Sequence, residues 1–165
     1  MVGAMAGRGN EADQGREADH IRRNRDAWNE WAAEFEESGE QNWAADDPSW
    51  GIWSVPEAEL RVLPDDLDGK DAIELGCGTA YVSSWLARRG ARCVGLDLSA
   101  EQLATARRLQ CGHGLDFPLH EGDAEHLPFH GESFAWRSRN TAPACGPIRI
   151  GGYPRPPECC ALAAV

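Results

Sequence analysis

The chain has 165 residues, and its 27 acidic residues outnumber its 16 lysines and arginines, which gives a net charge of −11 and a pI near 4.8. A nucleic-acid partner is therefore not predicted, because no basic stripe is available to neutralise phosphates. No apolar run approaches the length of a membrane span, so no membrane contact is predicted either. A small molecule is the favoured partner, while the oligomeric state stays open.

The N-terminal part divides into two segments. Residues 1–19 are rich in glycine, alanine and charged residues without an apolar period, so they are predicted to be disordered. They contain no long apolar stretch of the kind found in a secretory signal. Residues 20–64 are predicted to form a helical, Trp-rich extension that begins with a helix from Ile21 to Phe35.

Aromatic side chains dominate this extension. One apolar stripe of the first helix consists of Trp28, Trp31, Ala32 and Phe35. Packing against the core is the favoured role of such a stripe. Trp43, Trp50 and Trp53 follow in a segment punctuated by Gly and Pro, and they fit a lid over a binding site as well as plain packing.

Residues 65–134 alternate between strand and helix signals. The run Asp71–Leu75 is short and largely apolar, as a buried central strand should be. Tyr81–Gly90 has apolar residues at helical spacing and a glycine that ends the helix. A second apolar run, Cys93–Leu96, predicts the next strand, and residues 100–110 predict the next helix. The order β-α-β-α predicts parallel strands with right-handed crossovers.

Two positions of this segment indicate a ligand site. A glycine-rich turn at residues 74–80, with the sequence E-L-G-C-G-T-A, follows the first strand, and Asp97 ends the second. Ser99 and Gln102 form a capping box for the next helix, which places Asp97 at the strand tip. An acid there can hold two ribose hydroxyls. The dinucleotide fingerprint fits poorly, because it requires glycine where the chain has Tyr81.

Three segments together resemble the class I S-adenosylmethionine-dependent methyltransferases. Residues 74–80 match that family's motif E/D-x-G-x-G-x-G, with Ala80 in place of the last glycine. Gly95–Ser99 matches the acidic strand tip, and Glu121–Phe129 matches the adenine-side segment. The resemblance covers about residues 20–134 and is closest to the small-molecule methyltransferases of the type 11-like group.

The resemblance implies a fold and a reaction. The fold is α/β and Rossmann-like, of which only the N-terminal half, about three parallel strands with helices, is expected here, with an irregular tail behind it. The implied activity is methyl transfer from S-adenosylmethionine to a small-molecule acceptor. The donor is already activated, so the protein mainly positions the reactants, and no catalytic base is assigned.

The resemblance also implies roles for single residues. Gly76 and Gly78 let the backbone approach the methionine portion, and Glu74 helps to anchor its ammonium group. Asp97 takes the ribose hydroxyls, and Leu98 covers one face of the adenine. The predicted cofactor-binding residues are Glu74, Gly76, Cys77, Gly78, Asp97, Leu98, Asp123 and Ala124. Of these, Asp123 accepts from the adenine amino group, and the Ala124 N–H contacts a ring nitrogen.

A metal site is not predicted. His126 and His130 lie four residues apart near Glu121 and Asp123, but Pro128 between them argues against a helix that would bring them together. The six cysteines form no C-x-x-C pair. Reduced thiols and a cytoplasmic location are therefore expected.

Residues 135–165 differ in composition from the rest. They contain five of the ten prolines, three of the six cysteines and a single acid, Glu158. A fourth family strand beginning with Asp is expected after Phe134 and is not found there. The segment 135–165 is therefore predicted to be a disordered tail outside the family pattern.

Loss of one base after Phe134, with a shift of reading frame, is our hypothesis for this change. Read in one shifted frame, the codons of residues 151–165 permit W-V-P-A-A-A-R-V-L-R-P-G-G, and those before them permit L-A-V-S-E-Y-G-A-S-L-W-A-D-P-Y-R, both of which are family-like. Loss of strands four to seven would leave the first strand as an unpaired central edge. The 165-residue chain is therefore predicted to bind cofactor weakly or not at all and to have no turnover.

Three functional interpretations remain. The first is a methyltransferase by descent. The second is a nicotinamide or flavin oxidoreductase, which Tyr81 and the Asp123 segment disfavour. The third is a non-catalytic fragment that binds another protein through an open sheet edge.

Overall fold

A computed structural model describes residues 19–125, 127 and 134–139. Three helical segments form the N-terminal extension, followed by a short hairpin and one helical turn: α1 (Asp19–Trp31), a 3-10 helix (Ala32–Phe35), α2 (Glu36–Ala44), β1 (Ser49–Trp50), β2 (Val55–Pro56) and α3 (Glu57–Leu60). The α/β part follows in chain order: β3 (Asp71–Leu75), α4 (Tyr81–Arg88), β4 (Arg92–Asp97), α5 (Ala100–His113), β5 (Leu119–Glu121) and β6 (Trp136–Arg139).

The α/β part contains a parallel sheet with the strand order β5-β4-β3-β6. Leu75 pairs with Leu96, and Asp97 pairs with Glu121, so β3, β4 and β5 end at the same edge. Numbered along the chain from β3, this order is 3-2-1-4. The prediction of an α/β, Rossmann-like fold with parallel strands is confirmed.

The fourth strand corrects one prediction. β6 pairs in parallel with β3, from Ala72 opposite Trp136 to Leu75 opposite Arg139. The expectation of about three strands with the first as an unpaired edge is therefore wrong for the described residues. The sequence did not reveal β6, because Trp-Arg-Ser-Arg has neither the apolar run nor the alternation that indicates a strand. β6 also lies beyond residue 134, where the α/β segment was predicted to end.

The sheet is packed on both faces. One cluster of buried side chains lies between the sheet, α4, α5 and the extension, and includes Trp43, Leu86, Leu103, Leu109 and Phe117. The opposite face carries the smaller buried cluster Ile73, Leu75, Val94 and Leu96. Strands whose residues face two packed layers read as continuous apolar runs, as the sequence showed for β3 and β4.

Local signals placed the two crossover helices correctly. The Ser99 hydroxyl accepts from the backbone N–H of Gln102 at 3.1 Å, which confirms the predicted cap of α5. That helix continues to His113, beyond the predicted end at 110, and stops at Gly114 in the left-handed region. α4 ends at Arg88, and Gly90, with a φ of 83°, follows where the end was predicted.

The aromatic stripe of α1 does not pack as predicted. Trp28, Trp31 and Phe35 are 39%, 47% and 39% exposed, whereas Ala32 is buried. The packed face contains Ile21 of α1 and Ala32 of the following 3-10 helix, with the half-buried Arg25 and Asn29 between them, and it lies next to the exposed aromatic face. The predicted helical segment from 21 to 35 is present but divides into α1 and a 3-10 helix, and periodicity alone did not decide which of two adjacent faces packs. We call Trp28, Trp31 and Phe35 the aromatic patch.

Candidate cofactor site

The candidate site lies at the carboxyl ends of β3, β4 and β5. Backbone hydrogen bonds connect the three strand ends. The Gly76 and Cys77 N–H groups both donate to the carbonyl oxygen of Leu96, at 2.8 and 3.0 Å. The Gly122 N–H donates to the carbonyl oxygen of Asp97 at 2.9 Å. The glycine-rich turn, the strand tip and the segment after β5 therefore meet, as the sequence predicted for ligands of parallel sheets.

Asp97 connects two parts of this site. Its Oδ2 accepts from the Gly78 N–H at 2.7 Å, and its Oδ1 accepts from the Ser99 N–H at 2.8 Å. Burial raises the pKa of the Asp97 carboxyl, while the hydrogen bonds from Ser99, Gly78 and Leu98 lower it. Each carboxylate oxygen can accept more than one hydrogen bond, so both can also accept from hydroxyl groups of a ligand.

Glu74 lies beneath the turn. Its side chain has no exposed surface, and its Oε2 accepts from the backbone N–H and the hydroxyl of Ser83, both at 2.7 Å. Burial is the main cause that raises the pKa of Glu74 from its ordinary value of 4.5 to about 7. The contact with Ser83 in α4 is observed, whereas the implied contact with an ammonium group remains a prediction.

The remaining predicted residues surround the same edge. Leu98, Asp123 and Ala124 are all half-buried. The Asp123 Oδ1 accepts from the Glu125 N–H at 2.9 Å, which fixes the loop after β5. Ala124 packs against the buried cluster of Ile73 and its neighbours on one sheet face. Their contacts with an adenine ring remain predictions.

Cys77 is a packing residue of the turn. Its side chain is buried, and burial raises its pKa well above the ordinary value for a thiol. Burial likewise raises the pKa of Cys93 to about 12. Neither thiol is a nucleophile at neutral pH, because the thiolate is the reactive form.

Two further predictions concern a metal site and a membrane-spanning helix. Within residues 19–125, 127 and 134–139, no group of His, Cys, Asp and Glu could hold a metal ion. His126 and His130 lie outside these ranges. In the same part of the chain, no helix is long and apolar enough to cross a membrane.

The N-terminal extension contacts this site in three places. The Trp43 indole donates to the carbonyl oxygen of Thr79 at 2.9 Å. The Asn29 Oδ1 accepts from the Ser99 hydroxyl at 2.7 Å. His20 lies 4.0 Å from the carboxylate of Glu125. The extension is therefore in direct contact with the glycine-rich turn, the start of α5 and the loop after β5.

The three later tryptophans do not form one cluster. Trp43 has no exposed surface, Trp50 is half-buried, and Trp53 is 82% exposed. The Trp50 indole donates to the carboxylate of Glu57 at 2.6 Å, and the same carboxylate accepts from the backbone at Val62 and Leu63. Sequence reasoning missed Glu57, because an acid in a short helical turn gives no signal of burial.

Comparison with known proteins agrees with this geometry. The family model described as a methyltransferase domain matches residues 72–138, which span β3 to β6. A fatty-acid O-methyltransferase of Mycolicibacterium smegmatis is 41% identical over 101 residues, covering 54% of this chain and 36% of that protein. A phthiotriol/phenolphthiotriol dimycocerosates methyltransferase of Mycobacterium tuberculosis is 41% identical over 102 residues, covering 53% and 37%.

A solved structure shows the same fold at lower identity. The crystal structure of the [4+2]-cyclase SpnF is 19% identical, covers 71% of this chain and 48% of that protein, and gives a TM-score of 0.56. The chain spans little more than a third of the length of the curated relatives above. The glycine-rich turn, the acidic strand tip and the match over residues 72–138 make its α/β part similar to the class I S-adenosylmethionine-dependent methyltransferases.

Proposed function

We propose that this chain binds S-adenosylmethionine at the carboxyl end of its sheet and that the reaction of the site is methyl transfer to a lipid-like small molecule. One observation carries the cofactor proposal: the Asp97 carboxylate bonds to the Gly78 N–H at 2.7 Å. The hydrogen bond joins a turn whose backbone can approach a ligand to an acid that can accept from ribose hydroxyls.

Six of the predicted residues have a direct role at this site. Gly76 and Gly78 allow close backbone approach, and Asp97 accepts from the ribose hydroxyls. Leu98 and Ala124 contact the adenine ring, and Asp123 accepts from its amino group. The cofactor supplies an activated sulfonium methyl group when bound. The chain's own residues orient it and exclude water, which is the main contribution that a reaction with an activated donor requires.

Two observations support an apolar acceptor. The relatives above are a fatty-acid O-methyltransferase and a phthiotriol dimycocerosates methyltransferase. The aromatic patch of Trp28, Trp31 and Phe35 is partly exposed on α1, which contacts Ser99 through Asn29, and on the 3-10 helix that follows it. Exposed aromatic surface beside a cofactor site suits an apolar ligand. Methyl transfer from labelled S-adenosylmethionine to fatty acids of increasing chain length, by a chain that continues in the shifted reading frame after Phe134, tests this part of the proposal.

The cofactor proposal is tested by calorimetric titration with S-adenosylhomocysteine. Asp97→Ala should weaken binding by about tenfold to a hundredfold, because charge-assisted hydrogen bonds to the ribose are lost. Asp71→Asn is the matched control. Asp71 begins the neighbouring strand at the opposite end of the sheet, where it pairs with Arg92 at 2.8 Å. This control should bind as the wild type does.

Two outcomes would contradict the proposal. Equal affinities of Asp97→Ala, Asp71→Asn and the wild type for S-adenosylhomocysteine would show that Asp97 does not contribute to cofactor binding. Saturable binding of a nicotinamide dinucleotide in place of S-adenosylhomocysteine would favour the oxidoreductase interpretation. Thermal unfolding of each variant, followed by circular dichroism, separates lost affinity from lost folding.

A further inference from the structure

The turn between β3 and α4 contains an unusual alanine. Gly76, Gly78 and Ala80 all adopt positive φ angles, of 67°, 52° and 59°. Glycine adopts this left-handed region readily, whereas the Cβ of alanine comes too close to the neighbouring carbonyl oxygen. Ala80 has no exposed surface, and it stands where the family motif has its last glycine. Another contact must hold this backbone conformation.

An indole from the extension provides that contact. Trp43, fully buried near the end of α2, donates its Nε1–H to the carbonyl oxygen of Thr79 at 2.9 Å. The Thr79 carbonyl and the Ala80 nitrogen belong to the same planar peptide unit. Rotation of Ala80 toward a negative φ would turn this carbonyl away from the indole. The hydrogen bond therefore opposes relaxation of Ala80.

Trp43 is itself held firmly. The Arg88 side chain donates to the carbonyl oxygen of Trp43 at 2.6 Å, and its guanidinium lies 6.0 Å from the indole centroid. The Phe117 ring stacks on the indole with an interplanar angle of 19°. At Gly39, an added Cβ would lie 3.2 Å from Thr79 Cγ2, so α2 is in close contact with the turn. A rigid donor can impose a conformation on its acceptor.

We propose that Trp43 is a positioning residue for cofactor binding, which fixes the glycine-rich turn through the Thr79 carbonyl and thereby permits alanine at position 80. The inference rests on the proposed function, because the ligand of the turn is the proposed cofactor. Trp43 acts on the backbone of the turn and has no assigned contact with the cofactor.

Four variants test the proposal. Trp43→Phe removes the indole N–H and keeps an aromatic ring, and Ala80→Gly removes the conformational strain. The double variant combines them. Trp85→Phe is the matched control, because Trp85 is a buried indole 4.4 Å from Arg88 whose Nε1 has no hydrogen-bond partner among the described residues. The readouts are the Kd for S-adenosylhomocysteine and amide hydrogen exchange across residues 78–84.

The proposal gives a distinct pattern of results. Trp43→Phe should raise the Kd by about tenfold, as the loss of one buried hydrogen bond predicts, and should speed exchange of the Ala80 and Ser84 amides. Trp85→Phe should change the Kd by less than about twofold. In the Ala80→Gly background, the penalty of Trp43→Phe should fall to about threefold or less, because the two sites are coupled.

Equal penalties of Trp43→Phe in both backgrounds would overturn the proposal, and so would an equal effect of Trp85→Phe. Failure of the wild-type chain to bind S-adenosylhomocysteine would instead contradict the proposed function. In that case amide exchange alone still tests whether Trp43 fixes the turn, since this measurement requires no ligand. Unchanged exchange across the turn in Trp43→Phe would overturn it, and faster exchange confined to the turn would support it.

Discussion

Glu74 is a carboxyl group inside the domain core. Its Oε2 accepts two hydrogen bonds from Ser83, while its Oε1 has no hydrogen-bond partner among the described residues. A carboxylate without solvent and without a cationic partner is costly, so the neutral form is favoured. This explains why burial raises the pKa of Glu74 from 4.5 to about 7.

The raised pKa predicts that the chain loses stability as the pH rises. The folded state holds the proton more tightly than the unfolded state, so the stabilising contribution is fully present below about pH 4.5 and is lost as the pH approaches about 7. The loss should amount to roughly 3 kcal/mol in the free energy of unfolding. Urea unfolding at a series of pH values across this window measures it.

Glu74→Gln should flatten this pH dependence, because the amide does not ionise and can still accept from Ser83. Glu59→Gln serves as the control, since Glu59 is exposed on α3. It should leave the slope of the wild type unchanged. An unchanged slope in Glu74→Gln would show that another group dominates, and the Asp97 carboxyl, whose pKa is also raised, would be the next to test.

At the scale of elements, Asn29 attaches α1 to the α/β part. The Asn29 Oδ1 accepts from the Ser99 hydroxyl at 2.7 Å and from the Glu101 N–H at 3.5 Å. Ser99 is also the N-cap of α5. A single amide on α1 therefore contacts the helix start that follows the Asp97 strand tip.

Removing this contact should loosen α1. Asn29→Ala should lower the free energy of unfolding by about 1 kcal/mol, since it leaves the Ser99 hydroxyl without its acceptor. Asn24→Ala is the matched control, because Asn24 is exposed on the same helix and the substitution raises helix propensity equally. Urea unfolding compares the two variants, and indistinguishable midpoints would show that Asn29 does not attach α1.

At the scale of the whole molecule, β6 lies beside β3 at one edge of the described sheet, and its sequence is unsuited to that position. It pairs with β3 from Trp136 to Arg139, yet Arg137 is exposed where a parallel sheet packed on both faces favours apolar side chains. The shifted reading frame permits L-A-V-S for this strand, which is largely apolar. The location of β6 therefore fits the family, while its residues fit the frameshift hypothesis.

Resequencing of the coding DNA from codon 130 past codon 165 tests this hypothesis. We expect the shifted frame to remain open for about another hundred codons, as a domain of usual size requires. Methyl transfer is then expected from the frame-restored chain and not from the 165-residue chain. A shifted frame that closes within a few codons, or turnover by the purified 165-residue chain, would contradict the hypothesis. Residues 140–165 lie outside the described part of the chain.

The sequence by itself determined the features that depend on near neighbours. Strand, turn and helix followed one another as predicted from Asp71 to Gly114, because apolar spacing, a glycine-rich turn and the Ser99 cap act over a few residues. Asp97 was placed at a strand tip for the same reason. Parallel strand order then brought the predicted site residues to one edge of the sheet.

Tertiary structure decided the features that depend on distant partners. Trp43 and Thr79 are separated by 36 residues, and Asn29 and Ser99 by 70, so no local pattern connects them. The packed face of α1 was chosen by contact with α5, since two neighbouring faces were both suitable for burial. β6 exists because β3 offers unpaired backbone groups, and backbone pairing does not require an apolar sequence.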